Sequence, residues 1–354
     1  MNPSIPAAFQ QRLDALGAAP VHSVQLLRTW LSAQPLAAGH RGADDFLPKR
    51  LREGLAGLQD WLDGLARVAS AHPAADGSQR WLMALADGQT VESVLLPRDG
   101  VCVSTQVGCA VGCTFCMTGR DGLLRQLDAM EILAQVTQAR ASRTVRKVVF
   151  MGMGEPAHNL EAVLQAIDVL GTAAGIGHKN LVFSTVGDHR VFERLPQSRV
   201  RPALALSLHT TDPVLRRQLL PRAPRIDPAE LVELGEAYAR LTSYPIQYQW
   251  TLIEGVNDSD DEARALAKLL AGKYAVMNFI PLNEVSGSPY RRPDPTRGIE
   301  LVRQLRSHGV LATLRQSAGQ DVEGGCGQLR ARSLTAPLFK LNVHLPIQHQ
   351  RTED

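Results

Sequence analysis

Leu51, Leu55, Leu58, Leu62 and Leu65 recur at steps of four and three, a spacing that puts five leucines on one face of a helix. Residues 1 to about 70 read as helical on the same grounds, with Trp30 and Trp61 as core positions in similar patterns. Ser70–Gln79 (SAHPAADGSQ) is small, polar and turn-prone, and reads as a linker. A hairpin follows it: Trp81–Ala86, an Asp87-Gly88 turn, then Thr90–Leu96.

From about residue 100 short apolar runs alternate with helix-like segments. Strand candidates are Val101–Val107, Lys147–Met151, Leu181–Thr185, Ala203–Ser207, Ile246–Ile253 and Ala275–Ile280, with a seventh at Val310–Leu314. Asp128 with Glu131, Asp227-Pro228 with Glu230, and Ser259 with Glu262 have the capping-box spacing that starts helices. Ala162–Leu170 is apolar at helical spacing and stops at Gly171. About six strand–helix units predict an α/β fold whose parallel sheet is curved or closed like a barrel.

Polar or glycine-rich motifs follow the C-terminal ends of these strands. They are the Cys109–Cys116 loop, Gly152-Met153-Gly154-Glu155-Pro156, Ser184-Thr185, Ser207-Leu208-His209 and Pro281-Leu282-Asn283. That edge is where parallel βα architectures build their active sites, and fold stability alone gives no reason for five motifs to share it.

The chain has 354 residues, 44% of them hydrophobic and 21% charged, which excludes collagen-like and disordered classes. No window approaches the ~20 consecutive apolar residues of a membrane span. Met1-Asn2-Pro3-Ser4 carries no secretion pattern, so the expectation is a cytoplasmic protein with no membrane attachment. The net charge of +3, carried by 32 Arg and 6 Lys against 35 acidic residues, permits a nucleic-acid partner without pointing to one. Arg216-Arg217, Arg222, Arg225, Arg291-Arg292 and Lys49-Arg50-Arg52 are the groups that could hold phosphates, and a solvated surface explains each as well.

The five cysteines are more specific. Cys102, Cys109, Cys113 and Cys116 lie within fifteen residues and Cys326 lies far downstream, a clustering that points to metal or redox chemistry rather than a disulfide framework. Cys109, Cys113 and Cys116 form C-x3-C-x2-C, with Phe115 before the last cysteine. A structural zinc site needs four closed ligands, and the nearest histidine in sequence, His72, lies far off in the expected linker. A four-iron cluster on three thiolates keeps one iron open, and is favoured over zinc or inert buried thiols.

The cysteine loop after strand one, followed by a Gly-Glu motif after strand two, resembles the radical SAM enzymes. Cys102–Cys109 (CVSTQVGC), Met151–Pro156 (MGMGEP), Ser207-Leu208-His209 and Gly325–Leu329 (GCGQL) narrow the resemblance to the RlmN/Cfr family of radical SAM RNA methyltransferases, over roughly residues 90 to 330. It implies a partial (β/α)6 barrel. The expected organisation is an N-terminal helical accessory domain (1–79), a hairpin extension (80–97), a radical SAM core (98–330) and a C-terminal tail (331–354).

The family methylates an adenine carbon of 23S rRNA or tRNA, at C2 or at C8. C2 lies between two ring nitrogens and is too electron-poor to attack a sulfonium methyl, which gives a reason for a radical route. The resemblance implies one 4Fe–4S cluster on Cys109, Cys113 and Cys116. It also implies two S-adenosylmethionine (SAM) molecules per turnover, as methyl donor and radical source. By the same resemblance Cys326 is the methyl carrier (S-methylcysteine), and Cys102 is the thiol that resolves the product through a transient Cys102–Cys326 disulfide. Glu92 is the proton acceptor, against the plain reading of a solvent-facing strand residue; the plain reading of Cys326 is a small buried hydrophobe. Gly154, Glu155, Ser184, Ser207, Leu208, His209 and Asn283 bind SAM, where His209 alone would read as a structural histidine and Asn283 as a turn residue. Implied partners are the RNA, its target base unstacked into the barrel mouth, and an electron donor such as flavodoxin; a monomer is expected.

Three features depart from the family. The N-terminal segment lacks a basic-aromatic stretch before Trp30, Gln316 and Ala318 stand where basic residues are usual, and the tail from about Ala336 to Asp354 matches nothing familiar. Rival readings are a radical SAM enzyme of another reaction class, which gives Cys102 and Cys326 no task, a zinc-stabilised RNA-binding module, and a relative of the same family acting on a different RNA or at C8, which would share every motif.

Overall fold

The computed structural model of the chain describes residues 4–37, 47–284, 287–318, 325 and 327–335. Cys326 and the tail 336–354 lie outside the described residues. Three helices come first: α1 (Ala7–Ala15), α2 (Pro20–Leu31) and α3 (Lys49–Leu65). All five leucines of the α3 stripe are buried, as their spacing predicts.

No linker follows α3. Strand β1 (Ala66–Pro73) begins at the next residue and pairs antiparallel with β2 (Gln79–Leu85), so half of the expected linker is strand and 74–78 make the turn between the two. β1 is an edge strand with most side chains exposed, and its ladder lies on one side only. Such a strand needs no apolar face, which is why composition hides it. The hairpin of β2 and β3 (Thr90–Leu96) forms as expected and sets Leu82 opposite Glu92.

The apolar run 101–107 is two strands. β4 (Gly100–Cys102) joins the main sheet, whereas β5 (Gln106–Gly108) pairs with β6 (Leu123–Gln126) in a separate two-stranded ribbon. Six more strands continue the main sheet: β7 (Lys147–Phe150), β8 (Leu181–Thr185), β9 (Ala203–Ser207), β10 (Ile246–Leu252), β11 (Ala275–Pro281) and β12 (Ala312–Leu314). The ten-stranded order is β1-β2-β3-β4-β7-β8-β9-β10-β11-β12, antiparallel up to β4 and parallel beyond. Parallel neighbours follow chain order without a reversal, the winding of an open α/β barrel. Between these strands run helices α4 (Ala129–Ser142), α5 (Leu160–Thr172), α6 (His189–Gln197), α7 (Pro213–Leu219), α8 (Pro228–Thr242), α9 (Asp260–Leu270) and α10 (Pro295–Ser307), and α11 (Gln328–Thr335) comes last. Among the described residues no helix is long and apolar enough to cross a membrane.

Alternation along the strands separates two faces. Val148, Phe150, Leu181, Phe183, Leu204, Leu206, Trp250 and Phe279 belong to the main core with the helices. Val94, Cys102, Val149, Val182, Ala203 and Ala205 pack together on the opposite, inner face. The Asp128–Glu131 box is reciprocal, each side chain accepting the other's backbone N–H. At α9 only half of a box forms. Ser259 accepts from Glu262 N at 3.1 Å, but the Glu262 carboxylate turns to Thr210 and Thr211 and braces the loop after β9.

Candidate active site

The cysteine loop is the turn of the β5–β6 ribbon, closed where Cys109 N donates to Gly122 O at 2.9 Å. Its middle is pinned to the end of α7, through Thr114 N to Leu219 O at 3.0 Å and Arg222 N to Val111 O at 3.3 Å. Phe115 packs edge-on against His209, ring centroids 4.9 Å apart. Burial pushes the Cys109 thiol up to about 12, with Glu155 and Cys116 adding to the shift. Cys113 is raised by burial first and then by the charges of Cys116, Cys109 and Glu155. Thiols that oppose one another's ionisation call for a cationic centre among them. Among the described residues no His, Asp or Glu side chain joins the three thiols to make the four closed ligands that a structural zinc site needs, and three thiolates are a donor set that a four-iron cluster can use.

The Gly-Glu motif leaves β7 and is strapped to the segment leading into the cysteine loop. Thr105 N and Gln106 N donate to Met153 O at 2.8 and 3.2 Å, and Glu155 N donates to Gln106 Oε1 at 2.7 Å. Gly154 has φ +107°, and a Cβ there would lie 2.7 Å from Gln106 Cβ and 2.8 Å from Thr105 Oγ1, so only glycine fits. The Glu155 carboxylate is buried and accepts from Ala157 N and Val186 N, both at 3.0 Å, and from the Thr185 hydroxyl. Burial nevertheless raises its pKa. A carboxylate offers about four acceptor sites, which leaves room for a cationic ligand group beside these three donors.

Ser184 is the next-to-last residue of β8 and Ser207 the last of β9, each two residues beyond an inner-face position, Val182 and Ala205. Leu208 is fully buried in the main core, so it presents backbone rather than side chain to this edge. His209 is buried with φ +64°; its Nδ1 accepts from Thr251 N at 2.9 Å, and its carbonyl accepts from Asn257 Nδ2 at 2.7 Å. A backbone N–H can only donate, so the ring proton sits on Nε2. Burial, and then the Arg216 charge, lower His209 to about 3 and keep it neutral. Asn283 follows β11 and donates to Ser317 Oγ at 2.8 Å.

Arg216 was legible in the sequence only as a surface cation. It is buried, bonds the carbonyls of Val186 and Ser207, and faces Cys113 and Glu155. Burial brings it down to about 10 while those two anions oppose the shift. The signal was its position three and four residues before Leu219 and Leu220, on the apolar side of α7. Asn257 and Glu262, which hold the His209 loop, were also missed. Arg217, Arg222, Arg225 and Arg291 are exposed.

The first strands gather the remaining residues. Glu92 is 2% exposed, which removes the solvent-facing reading. Its Oε2 lies 2.9 Å from Arg80 Nη2 and its Oε1 accepts from Arg330 N at 2.8 Å. Cys102 is a buried thiol paired in register with Val94 and Val149, and Glu92 stands two residues from Val94 on the same face. Gly325 O accepts from Arg80 Nη2 at 2.9 Å. At Gly327 a Cβ would come 2.7 Å from Thr118 N, so this residue packs on the turn just after Cys116. The two neighbours of Cys326 therefore touch the Glu92 ion pair on one side and the cysteine loop on the other.

The radical SAM superfamily profile matches residues 103–267. The chain is 68% identical over 328 residues to a probable RNA methyltransferase of Thiobacillus denitrificans, covering 93% of this chain and 91% of that protein. A probable RNA methyltransferase of Azoarcus sp. is also 68% identical, over 322 residues, with 91% and 93% covered. The crystal structure of a radical SAM methyltransferase from Sphaerobacter thermophilus shares 36% identity at a TM-score of 0.79, over 91% of this chain and 96% of that one. With the fold, the cysteine loop and this similarity along nearly the whole chain in agreement, the protein belongs to the radical SAM superfamily, in the family it shares with these methyltransferases.

Proposed function

We propose that the protein is a radical SAM RNA methyltransferase that methylates C2 of an adenine in 23S rRNA or tRNA through an S-methylcysteine at Cys326. The observation that supports this reading is that the segment around Cys326 is tied to Glu92, on the strand paired with that of Cys102, and packs through Gly327 just after Cys116, although these parts of the chain are more than 200 residues apart.

Cys109, Cys113 and Cys116 would hold a four-iron cluster, which when bound supplies the electron for reductive cleavage of the SAM sulfonium, giving the radical that takes hydrogen from the S-methyl group. Gly154, Glu155, Ser184, Ser207 and Asn283, with the backbone of Leu208, line the cosubstrate site. Neutral His209 offers it an Nε2 donor and keeps the Phe115 edge in place. Cys326 takes a methyl from a first SAM: its sulfur–carbon bond forms as the sulfonium bond breaks. Once the carbon has joined the adenine, release requires a base for the ring proton and a thiol for the Cys326 sulfur. Glu92 takes the proton. Cys102 attacks, so that a sulfur–sulfur bond replaces the sulfur–carbon bond. The released carbon takes up the Cys102 thiol proton to become the methyl group, and the unpaired electron left by the radical addition passes to the electron carrier. External reductant supplies two electrons to reset the pair. Electrons come from a carrier such as flavodoxin.

Nucleoside mass spectrometry of total RNA from a strain lacking the gene tests the reading. Loss of 2-methyladenosine, restored by the parent gene, is expected. Loss of 8-methyladenosine instead moves the target carbon, and an unchanged nucleoside profile overturns the reading.

A further inference from the structure

Arg80 lies on β2, opposite Val94, with its side chain on the inner face and 2% exposed. One nitrogen, Nη2, donates to Glu92 Oε2 and to Gly325 O, both at 2.9 Å, while Nη1 reaches Ala318 O at 3.4 Å. A single guanidinium thus joins the proton acceptor assigned above to the peptide carbonyl immediately before Cys326. On the other side of Cys326, the backbone N–H of Arg330 lies on the second oxygen of the same carboxylate at 2.8 Å. The chain that bears the carrier thiol is tied to Glu92 before and after that thiol.

A buried ion pair is weak evidence for stability, because desolvating two charges offsets most of their attraction. Apolar side chains would fill the same place on this sheet. What a planar guanidinium adds is geometry, since its fixed fork serves three acceptors from one position and an ammonium does not. We propose that Arg80 is a positioning residue for the transfer: acting through Glu92 and the Gly325 carbonyl, it sets the distance between the group that takes the ring proton and the chain that carries the methyl. The proposal rests on the roles given above to Glu92 and Cys326.

Arg80→Lys keeps a buried cation beside Glu92 and so avoids leaving an unpaired charge. Three proteins are compared with the parent as reconstituted holoenzymes: Arg80→Lys, Glu92→Gln and the double variant. Iron content and cleavage of SAM report the fold. Mass gain on the Cys326 peptide with SAM alone reports methyl loading, and the ratio of free methylated RNA to protein-linked RNA reports release. Arg80→Lys is expected to keep its iron and load methyl, yet release product about 100-fold more slowly, the scale of an ångström-level misplacement, with the KM for RNA unchanged. In the Glu92→Gln background the same substitution is expected to add nothing. Parental release by Arg80→Lys, loss of its iron, or an equal further loss in the double variant overturns the positioning role while Glu92 keeps its own. Parental release by Glu92→Gln overturns the proton-acceptor reading itself.

Discussion

Gly154→Ala tests how the Gly-Glu motif is held. The residue has φ +107°, a region that costs an L side chain about 1–3 kcal/mol of backbone strain. Its new methyl would sit 2.7 Å from both Cβ and Cγ of Gln106 and 2.8 Å from Thr105 Oγ1. Gln106 cannot yield without moving the amide oxygen that accepts from Glu155 N at 2.7 Å, a bond contributing about 1 kcal/mol. Strain and lost bond together come to about 2–4 kcal/mol, concentrated on the loop assigned above to SAM binding. If that loop must regain its parental shape to bind SAM, affinity falls by about 30- to 1,000-fold. Anaerobic equilibrium dialysis with labelled SAM measures this, with iron content as the control for an intact cysteine loop. A variant that keeps its iron and binds SAM as the parent does refutes the reasoning.

Cys109→Ala should lose most of its iron after anaerobic reconstitution, and full retention contradicts the ligand assignment. Cys326→Ala should still cleave SAM but form no methylated RNA. Cys102→Ala should accumulate RNA linked covalently to protein, seen as a shifted band on a denaturing gel; a clean gel under turnover counts against its resolving role. His209, held at about 3 by burial, is neutral when folded and takes a proton in the unfolded chain below about 6.5. Its contribution to stability is therefore complete above that value and drains away as the pH falls toward the folded one, by about 2 kcal/mol near pH 5. The urea midpoint of His209→Gln should fall less than the parent's between about pH 7 and about pH 5, and equal falls contradict the assignment.

Strands buried on both faces were the readable part of the fold. Leu181–Thr185 and Ala203–Ser207 are strands over the very residues their apolar runs mark, because nearly every side chain in them is buried. β1 was hidden since an edge strand carries its ladder in the backbone and leaves its side chains to solvent. The break inside 101–107 was hidden for the opposite reason. Val103, Ser104 and Thr105 stay buried while the chain leaves the sheet, and Ser104 turns its hydroxyl to Glu92 O and its amide to Gln135 Oε1. Hydropathy alone does not mark that bend.

For the site, the cysteine loop and the strand-end motifs could be read directly, since each is local in sequence. What could not be read was pairing. Glu92 is an ordinary acidic residue until the hairpin register brings Arg80 across to it, and the bond from Arg330 depends on a segment 238 residues away. Arg216 likewise looked like half of a surface dipeptide, and only its place on the apolar side of α7 sends it inward. Leu208 matched the cosubstrate motif by position, but alternation along β9 turns its side chain to the helices.

In the proposed route Cys326 carries the methyl before the RNA receives it. The most direct measurement incubates the reconstituted enzyme with SAM bearing a deuterated methyl group, without RNA, and follows the Cys326 peptide by mass spectrometry. One labelled methyl on Cys326 is expected, which disappears when RNA and reductant are added and reappears on adenine with one of its deuterium atoms exchanged for hydrogen. An unlabelled Cys326 in enzyme that nonetheless methylates RNA contradicts the route.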